Sequence, residues 1–287
     1  RFHGVSAHAA GDPANGRSAL DAVELMNTGA QYLREHMTSD CRVHYAIIDT
    51  GGVSPNVVQS EASVLYMVRA NKVRDSVKLL ARVDKIAQGA ALMTETSFDR
   101  KFIDGTAELV PNYTLEELLY RIFNEVGLPE YTDGERQLAE ALRRTYELHA
   151  APGIAAGFDA DIAADVAERT NGLQDALCGF IMPEYHSAGF VAGSTDVGDV
   201  SWQTPAAQVH CVTFPFGAAG HSWQNVSCGG TSLGHKGLIN AAKIIACAAI
   251  ELMDDPETLQ KARDEFARRT RSGYVCPIEP DAVPTAI

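Results

Sequence analysis

Two short segments carry the residue types and spacing for chemistry: Gly193-Ser194-Thr195-Asp196-Val197-Gly198-Asp199 and Gly220-His221-Ser222. Asp196, Asp199 and His221 offer carboxylate and imidazole, the hard and borderline ligands that a divalent cation takes when loops at strand ends bring them together. Each also has an ordinary role. A Gly-Ser-Thr-Asp turn caps helices, and a lone histidine is commonly structural. His8, within Gly4-Val5-Ser6-Ala7-His8-Ala9-Ala10, has small neighbours that leave its imidazole room to project. His235, in Gly234-His235-Lys236-Gly237, is a rival ligand whose place at a helix start favours a capping or solvated role. Asn56 at a strand start reads as turn chemistry, and Arg69 at the end of an apolar strand reads as a snorkelling side chain. Glu116-Glu117 lies between Leu115 and Leu118 on an amphipathic helix, so a solvated face is the expectation there. The chain has no HExxH, no GxSxG with a partner histidine and no P-loop.

The elements that must position these residues alternate cleanly over the first hundred residues. Arg1 to Ala7 reads as a strand. A helix follows from Arg17 to about Met37, with Leu20, Val23, Leu25, Met26 and Leu33 at helical spacing. Arg42 to Ile48 and Asn56 to Arg69 are rich in β-formers and separated by Asp49-Thr50-Gly51-Gly52. Asp75 to Gln88 resumes the helical period, and Thr94 to Ile103 closes the set as a strand. The order βαββαβ predicts a ferredoxin-like unit, with two helices on one face of an antiparallel sheet and an edge available for a second copy.

Val110-Pro111-Asn112 marks a boundary. Thr114 then reads as the cap of a helix over Leu115 to Val126, with Glu117 in the capping-box position. Further helices are expected at about 133–148, 236–253 and 256–270, and strands near Cys178 to Met182 and Gln208 to Phe214. Residues 150–174, rich in Ala, Gly and Asp, read as a surface excursion. Strands mixed with helices predict an α/β second domain.

The chain has 287 residues, room for two domains or one large one. Its formal charge of −13 argues against nucleic acid, which needs clustered Lys and Arg. No apolar run approaches the ~18 residues of a membrane span. Six scattered cysteines without CxxC spacing suit reduced thiols in a cytoplasmic protein rather than a disulfide framework. Arg1-Phe2-His3-Gly4-Val5 reads as a strand already under way, so an upstream part of the protein is expected.

Several separated segments together resemble the M20 metallopeptidases and amidohydrolases. Gly4 to Ala10, then Pro13 and Gly16-Arg17-Ser18-Ala19-Leu20-Asp21-Ala22, resemble the opening of that family's dimerisation (lid) domain. Gly52 through Asn56-Val57-Val58 to Val68-Arg69 resembles its third-strand region, and the Gly-Ser-Thr-Asp turn with Gly220-His221-Ser222 resembles the end of its catalytic domain. The aminobenzoyl-glutamate hydrolase branch of the family is the nearest in wording.

The resemblance implies an α/β fold with a partial zinc-peptidase-like catalytic domain (110–287) and an inserted ferredoxin-like dimerisation domain (1–109). It implies a cytoplasmic enzyme that hydrolyses an N-acyl amino acid or aminobenzoyl-glutamate-like amide with two zinc or manganese ions. His221 would be a metal ligand, Asp196 would support the site from behind, and His8 would donate to the oxyanion in the active site of the partner protomer. Asn56 and Arg69 would hold a carboxylate-bearing substrate. Homodimer or paralogous-subunit contacts would run through the lid, with no nucleic acid or membrane partner. The family's His-x-Asp motif and Glu-Glu pair lie upstream of the lid and are not present there in this sequence; Glu116-Glu117 cannot stand in, being downstream of the lid and on a helix, so the chain alone is expected to be inactive. The alternative is a non-catalytic subunit-partner or binding protein that keeps the lid for association.

Overall fold

A computed structural model describes residues 1–148, 160–186 and 193–283. The chain divides into two compact units, 1–108 with 274–287, and 109–273.

Unit 1 is built in the order β1 (Phe2–His3), α1 (Ala19–Arg34), β2 (Arg42–Asp49), β3 (Glu61–Arg69), α2 (Val73–Thr94) and β4 (Ser97–Phe98). The sheet is antiparallel with strand order β2-β3-β1-β4, the ferredoxin-like arrangement that the alternation predicts. Ser18 caps α1 by accepting from the Asp21 amide at 3.0 Å. The core lies between sheet and helices: Phe2, Val43 and Ala62 from the strands meet Val23, Met26 and Leu79, Val83 from α1 and α2. Alternation along β2 and β3 puts Val43, Tyr45 and Ile47, with Val64, Tyr66 and Val68, on the helix-facing side.

Three strands differ from the expected spans, β1 and β3 because the backbone finds another partner. β1 stops at His3 because Val5 and Arg17 exchange backbone hydrogen bonds at 2.8 and 2.9 Å. Gly4 permits this approach, since a Cβ there would stand 2.0 Å from the Arg17 carbonyl oxygen. β3 starts at Glu61 rather than Asn56, because residues 56–58 bond instead to the loop after β1. β4 is two residues long: α2 runs on to Thr94, and past Phe98 only the Asp99 amide still bonds toward β1, at the Arg1 carbonyl (3.0 Å), while the Arg100 side chain pairs with Asp84 and Glu279.

Unit 2 holds α3 (Tyr113–Val126), α4 (Asp133–Arg143), α5 (Ala160–Arg169), α6 (Val197–Ser201), α7 (Trp223–Cys228), α8 (Ser232–Asp254) and α9 (Pro256–Arg269). α3 packs on α8 and α9, burying Leu118 and Ile122 against Ile244 and Ala248. α4 is sealed by a Thr132/Glu135 capping box. α3 begins earlier than expected. Asn112 is its cap, accepting from the Leu115 amide, and Glu265 of α9 takes the Tyr113 and Thr114 amides at 3.0 Å each. α5 forms inside the stretch expected to be an excursion, whose residues 150–159 lie outside the described ones.

The strands expected near Cys178 to Met182 and Gln208 to Phe214 are not formed. A strand exists only through a hydrogen-bonded neighbour, and among the described residues no backbone pair is made by residues 208–214. Their side chains still divide: Val209 and Cys211 join the α3–α8 cluster, while Val212 and Phe214 join Leu142, Cys228 and Leu233. Gly237 of α8 packs against this segment, where a Cβ would stand 2.1 Å from the Val212 carbonyl oxygen. No described helix is long and apolar enough to cross a membrane, and all six cysteines are free thiols.

Candidate functional site

The loop after β1 presents His8. Its backbone forms an isolated bridge with Val57, and Ala9 donates to the Asn56 carbonyl at 2.9 Å, so His8 and Asn56 are neighbours. The imidazole is exposed, and its Nδ1 accepts from the Ala10 and Gly11 amides at 3.2 and 3.0 Å. An Nδ1 that accepts is unprotonated, so a neutral ring carries its proton on Nε2. The small residues around His8 therefore do more than make room. Two of them supply the amides that fix the tautomer.

Arg69 ends β3, opposite Arg42 of β2, with its Nε 3.2 Å from Met67 Sδ. β3 has nine residues, roughly 26 Å at ~3.3 Å per residue. His8 and Asn56 lie before the other end of that strand, so Arg69 does not meet them within one unit 1.

In unit 2, His221 precedes the cap of α7. Ser222 takes the Asn225 amide at 3.3 Å and donates to the Ala219 carbonyl at 2.7 Å. His221 is exposed, in the left-handed region at φ 60°, a conformation uncommon for a residue with a Cβ. Asp196 stands before α6, making no side-chain cap, while Thr195 Oγ1 donates to it at 3.4 Å. His235 lies in the first turn of α8, exposed, its amide bonded to the Thr231 carbonyl at 3.0 Å. Asp196, Asp199 and His221 do not gather as three ligands. Among the described residues, His221 is a single candidate ligand and does not complete a metal site.

Among the described residues, the group of three that does converge is Glu117, Glu184 and His186, whose ligand atoms lie within 4.8 Å of one another. His186 Nε2 stands 4.0 Å from Glu117 and 3.7 Å from Glu184, while Nδ1 is 3.4 Å from Glu116. The ring stacks on Tyr113 at 3.8 Å, and the Arg269 guanidinium lies 4.0 Å from the same tyrosine's centroid. Burial pushes the Glu116 carboxyl up, against the pull of His186 and Arg269. Glu116 is thus not on a solvated face as its helix pattern suggests, because residues 184–186 fold across α3. Nothing in the spacing of Glu184 and His186 announces this. The Thr132-x-x-Glu135 box, by contrast, is legible: Glu135 also takes Lys236 at 2.7 Å, and that contact with Ser232 and Thr132 holds its carboxyl down to about 2.

Comparison with known proteins shows what the chain is similar to. Residues 1–94 match the Peptidase dimerisation domain of the M20 peptidases. The whole chain is 40% identical to a subunit of the p-aminobenzoyl-glutamate hydrolase of Escherichia coli (strain K12) and covers 60% of that protein. It is 26% identical to the Xaa-Arg dipeptidase of Mus musculus over 93% of this chain and 50% of that one. A solved structure of an aminobenzoyl-glutamate utilization protein from Klebsiella pneumoniae is 25% identical, covering 44% of this chain and 32% of its own at a TM-score of 0.38, a likeness too loose to place residues. The chain spans half to three fifths of the length of these curated relatives. Residues 1–94 thus form a dimerisation domain of the M20 peptidase type, and the chain as a whole is similar to the hydrolases named above.

Proposed function

We propose that this chain is part of a metal-dependent amidohydrolase that cleaves an N-acyl amino acid or aminobenzoyl-glutamate-like amide in the cytoplasm. The observation that carries the reading is the 40% identity to the p-aminobenzoyl-glutamate hydrolase subunit across the whole chain. A pair of zinc or manganese ions, when bound, would polarise the scissile carbonyl. Of their ligands this chain would contribute His221, supported by Asp196, and the others would belong to a segment outside it. His8 would donate its Nε2 proton to the developing oxyanion, a contact worth about 10²–10³ in turnover for an oxyanion donor. Asn56, bonded through its backbone beside His8, would hold the substrate from the same side. Arg69 would pair with the substrate carboxylate.

The separation of Arg69 from His8 along β3 supports a site shared between protomers. His8 and Asn56 would serve one active site while Arg69 of the same protomer serves another, which gives a dimerisation domain a catalytic purpose. The test is a protein extended to the length of its relatives. His221→Ala should abolish hydrolysis and remove one metal equivalent, and retention of both refutes the ligand assignment. Mixing His8→Ala with His221→Ala protomers should restore one functional site per dimer if His8 acts across the interface.

A second reading is a non-catalytic subunit partner that associates through unit 1. An acidic chain whose sheet ends in the edge strand β2 suits it. A stable dimer of the extended protein that binds no metal and cleaves no amide would establish that reading.

A further inference from the structure

Glu95 ends α2 in the left-handed region, at φ 53°. The Thr96 amide closes the turn on the Ala91 carbonyl at 3.0 Å, a helix-ending turn in which glycine is the usual left-handed residue. A glutamate there carries a backbone cost that glycine would not. Its carboxylate accepts from Arg17 Nε at 2.7 Å. The pair is largely exposed, Glu95 at 70% and Arg17 at 35%, and an exposed ion pair adds little to stability. Stability therefore does not explain why a glutamate stands at this place, and such an outlier points to a role.

What the pair holds is the loop of His8. Arg17 Nη1 donates to the carbonyls of Ala14 and Gly16 at 3.1 and 2.7 Å. Ala14 lies in the single helical turn Pro13–Asn15, and the Asn15 side chain donates to the Asp12 carboxylate at 2.7 Å. The Asp12 amide in turn donates to the His8 carbonyl at 2.9 Å. A connected run of hydrogen bonds thus leads from the end of α2 to His8. The other side of the loop is stitched to residues 56–58, where the Val58 amide donates to the Ala7 carbonyl at 2.9 Å. Residues 10–16 have no such neighbour: among the described residues their hydrogen bonds stay within 8–17. Arg17 is their link to a regular element. The consequence falls on the imidazole, because the two amides that donate to its Nδ1, those of Ala10 and Gly11, belong to this stretch. If the stretch moved, Nδ1 would lose both donors, and the ring its fixed tautomer and its aim.

We propose that Arg17 and Glu95 are positioning residues for His8: the ion pair clamps residues 10–16 to the end of α2, so that the imidazole presents its Nε2 proton in one direction. The assignment rests on the reading that His8 donates to the oxyanion, and it adds the two residues that aim it. Arginine suits the role because its planar fork meets the carboxylate through Nε and the loop carbonyls through Nη1 at the same time. Glutamate suits it because a glycine at the same turn would end the helix without reaching Arg17.

Hydrogen exchange on the full chain reads the clamp without calling on activity. In Arg17→Gln and in Glu95→Gly the Ala10, Gly11 and Asp12 amides should exchange about tenfold faster, while amides inside α1 and α2 keep their wild-type rates. Nitrogen NMR of the neutral His8 ring should show two well-separated resonances in the wild type. They should draw together in both variants as one tautomer gives way to a mixture. Arg17→Lys, which keeps the charge but not the fork, should fall between. Glu95→Gly separates positioning from stability: its thermal midpoint should equal or exceed that of the wild type, because glycine relieves the left-handed turn. In the extended protein both variants should lower kcat with KM unchanged, the pattern of a group that acts only in the transition state. Wild-type exchange at Ala10 and Gly11 in Arg17→Gln overturns the proposal. Faster exchange throughout α1 and α2 overturns it too, since the pair then holds the unit rather than the loop. So does a Glu95→Gly protein that keeps the wild-type kcat while His8→Ala loses it. Failure of the oxyanion reading looks different: His8→Ala would leave kcat unchanged although the loop still exchanged faster in both clamp variants.

Discussion

Glu265→Gln tests how unit 2 holds the helix that carries Glu116 and Glu117. Glu265 lies on α9 with its side chain only 7% exposed. Its carboxylate accepts from the Tyr113 and Thr114 amides, from Thr114 Oγ1 at 2.9 Å and from Arg269 Nε at 2.8 Å. Burial pushes this carboxyl up. The bonds from Thr114 and Tyr113, with that from Arg269, outweigh it and hold the value down to about 2, against 4.5 for a free side chain. At about 1.4 kcal/mol per decade, that preference corresponds to on the order of 3 kcal/mol of folding stability. The sign follows from a depressed folded value. The contribution is fully present above pH 4.5 and is lost as pH falls toward 2.

Glutamine keeps the shape of Glu265, but its amide places a donor, or at best a neutral oxygen, before the α3 amides. Denaturant unfolding at pH 7 should show the variant less stable by about 3 kcal/mol, or roughly 6–12 °C in midpoint for a unit of this size. Hydrogen exchange reads the same loss locally, through faster exchange at the Tyr113 and Thr114 amides. The gap between wild type and variant should close between pH 4.5 and 2. A variant within about 0.5 kcal/mol of wild type at pH 7, the scatter of an ordinary surface substitution, refutes the reasoning. A gap that does not change with pH refutes it equally, since the loss would then not be that of a charge.

Other consequences are as direct. In the extended protein, His8→Ala should lower turnover about 10²-fold or more while leaving metal content intact, measured by steady-state kinetics beside elemental analysis. His186→Gln should leave the metal content and turnover of the same protein unchanged, in contrast to His221→Ala; loss of a metal equivalent would move the site to Glu117 and Glu184. His3 is held between Glu61 at 2.8 Å and Asp99 at 2.5 Å, and hydrogen bonds to Glu61 and then Asp99 raise its imidazole above 6.5. Its contribution to unit 1 is therefore complete below pH 6.5 and is lost as pH rises through the raised value. Thermal melts should fall over that window in the wild type, and less steeply in His3→Gln.

Much of unit 1 is legible from residue order alone. Its helices are amphipathic, its strands alternate, and the turn residues between them leave few other ways to bury Val23, Val43 and Leu79 together. The placement of His8 in a small-residue loop after the first strand also follows from the sequence. Its tautomer does not, because the Ala10 and Gly11 amides that set it carry no side-chain signature. The strand limits are equally hidden: Asn56 has turn and strand neighbours alike, and its backbone is claimed by the loop of His8.

In unit 2 the helices announce themselves through caps and periodicity, Thr132-x-x-Glu135 most plainly. The segment 208–214 has a strand's alternation and uses it, sending Val209 and Cys211 one way and Val212 and Phe214 the other. It still is not a strand, because pairing needs a neighbour that no described residue supplies. His186 beside Glu116, Glu265 under α3 and Arg42 opposite Arg69 all join residues distant in sequence or across a register. Local composition determines which segments become helices or strands, since those preferences act within a few residues. Which charges then face one another is decided only when the chain packs, because electrostatic and hydrogen-bonding partners are chosen by distance in space.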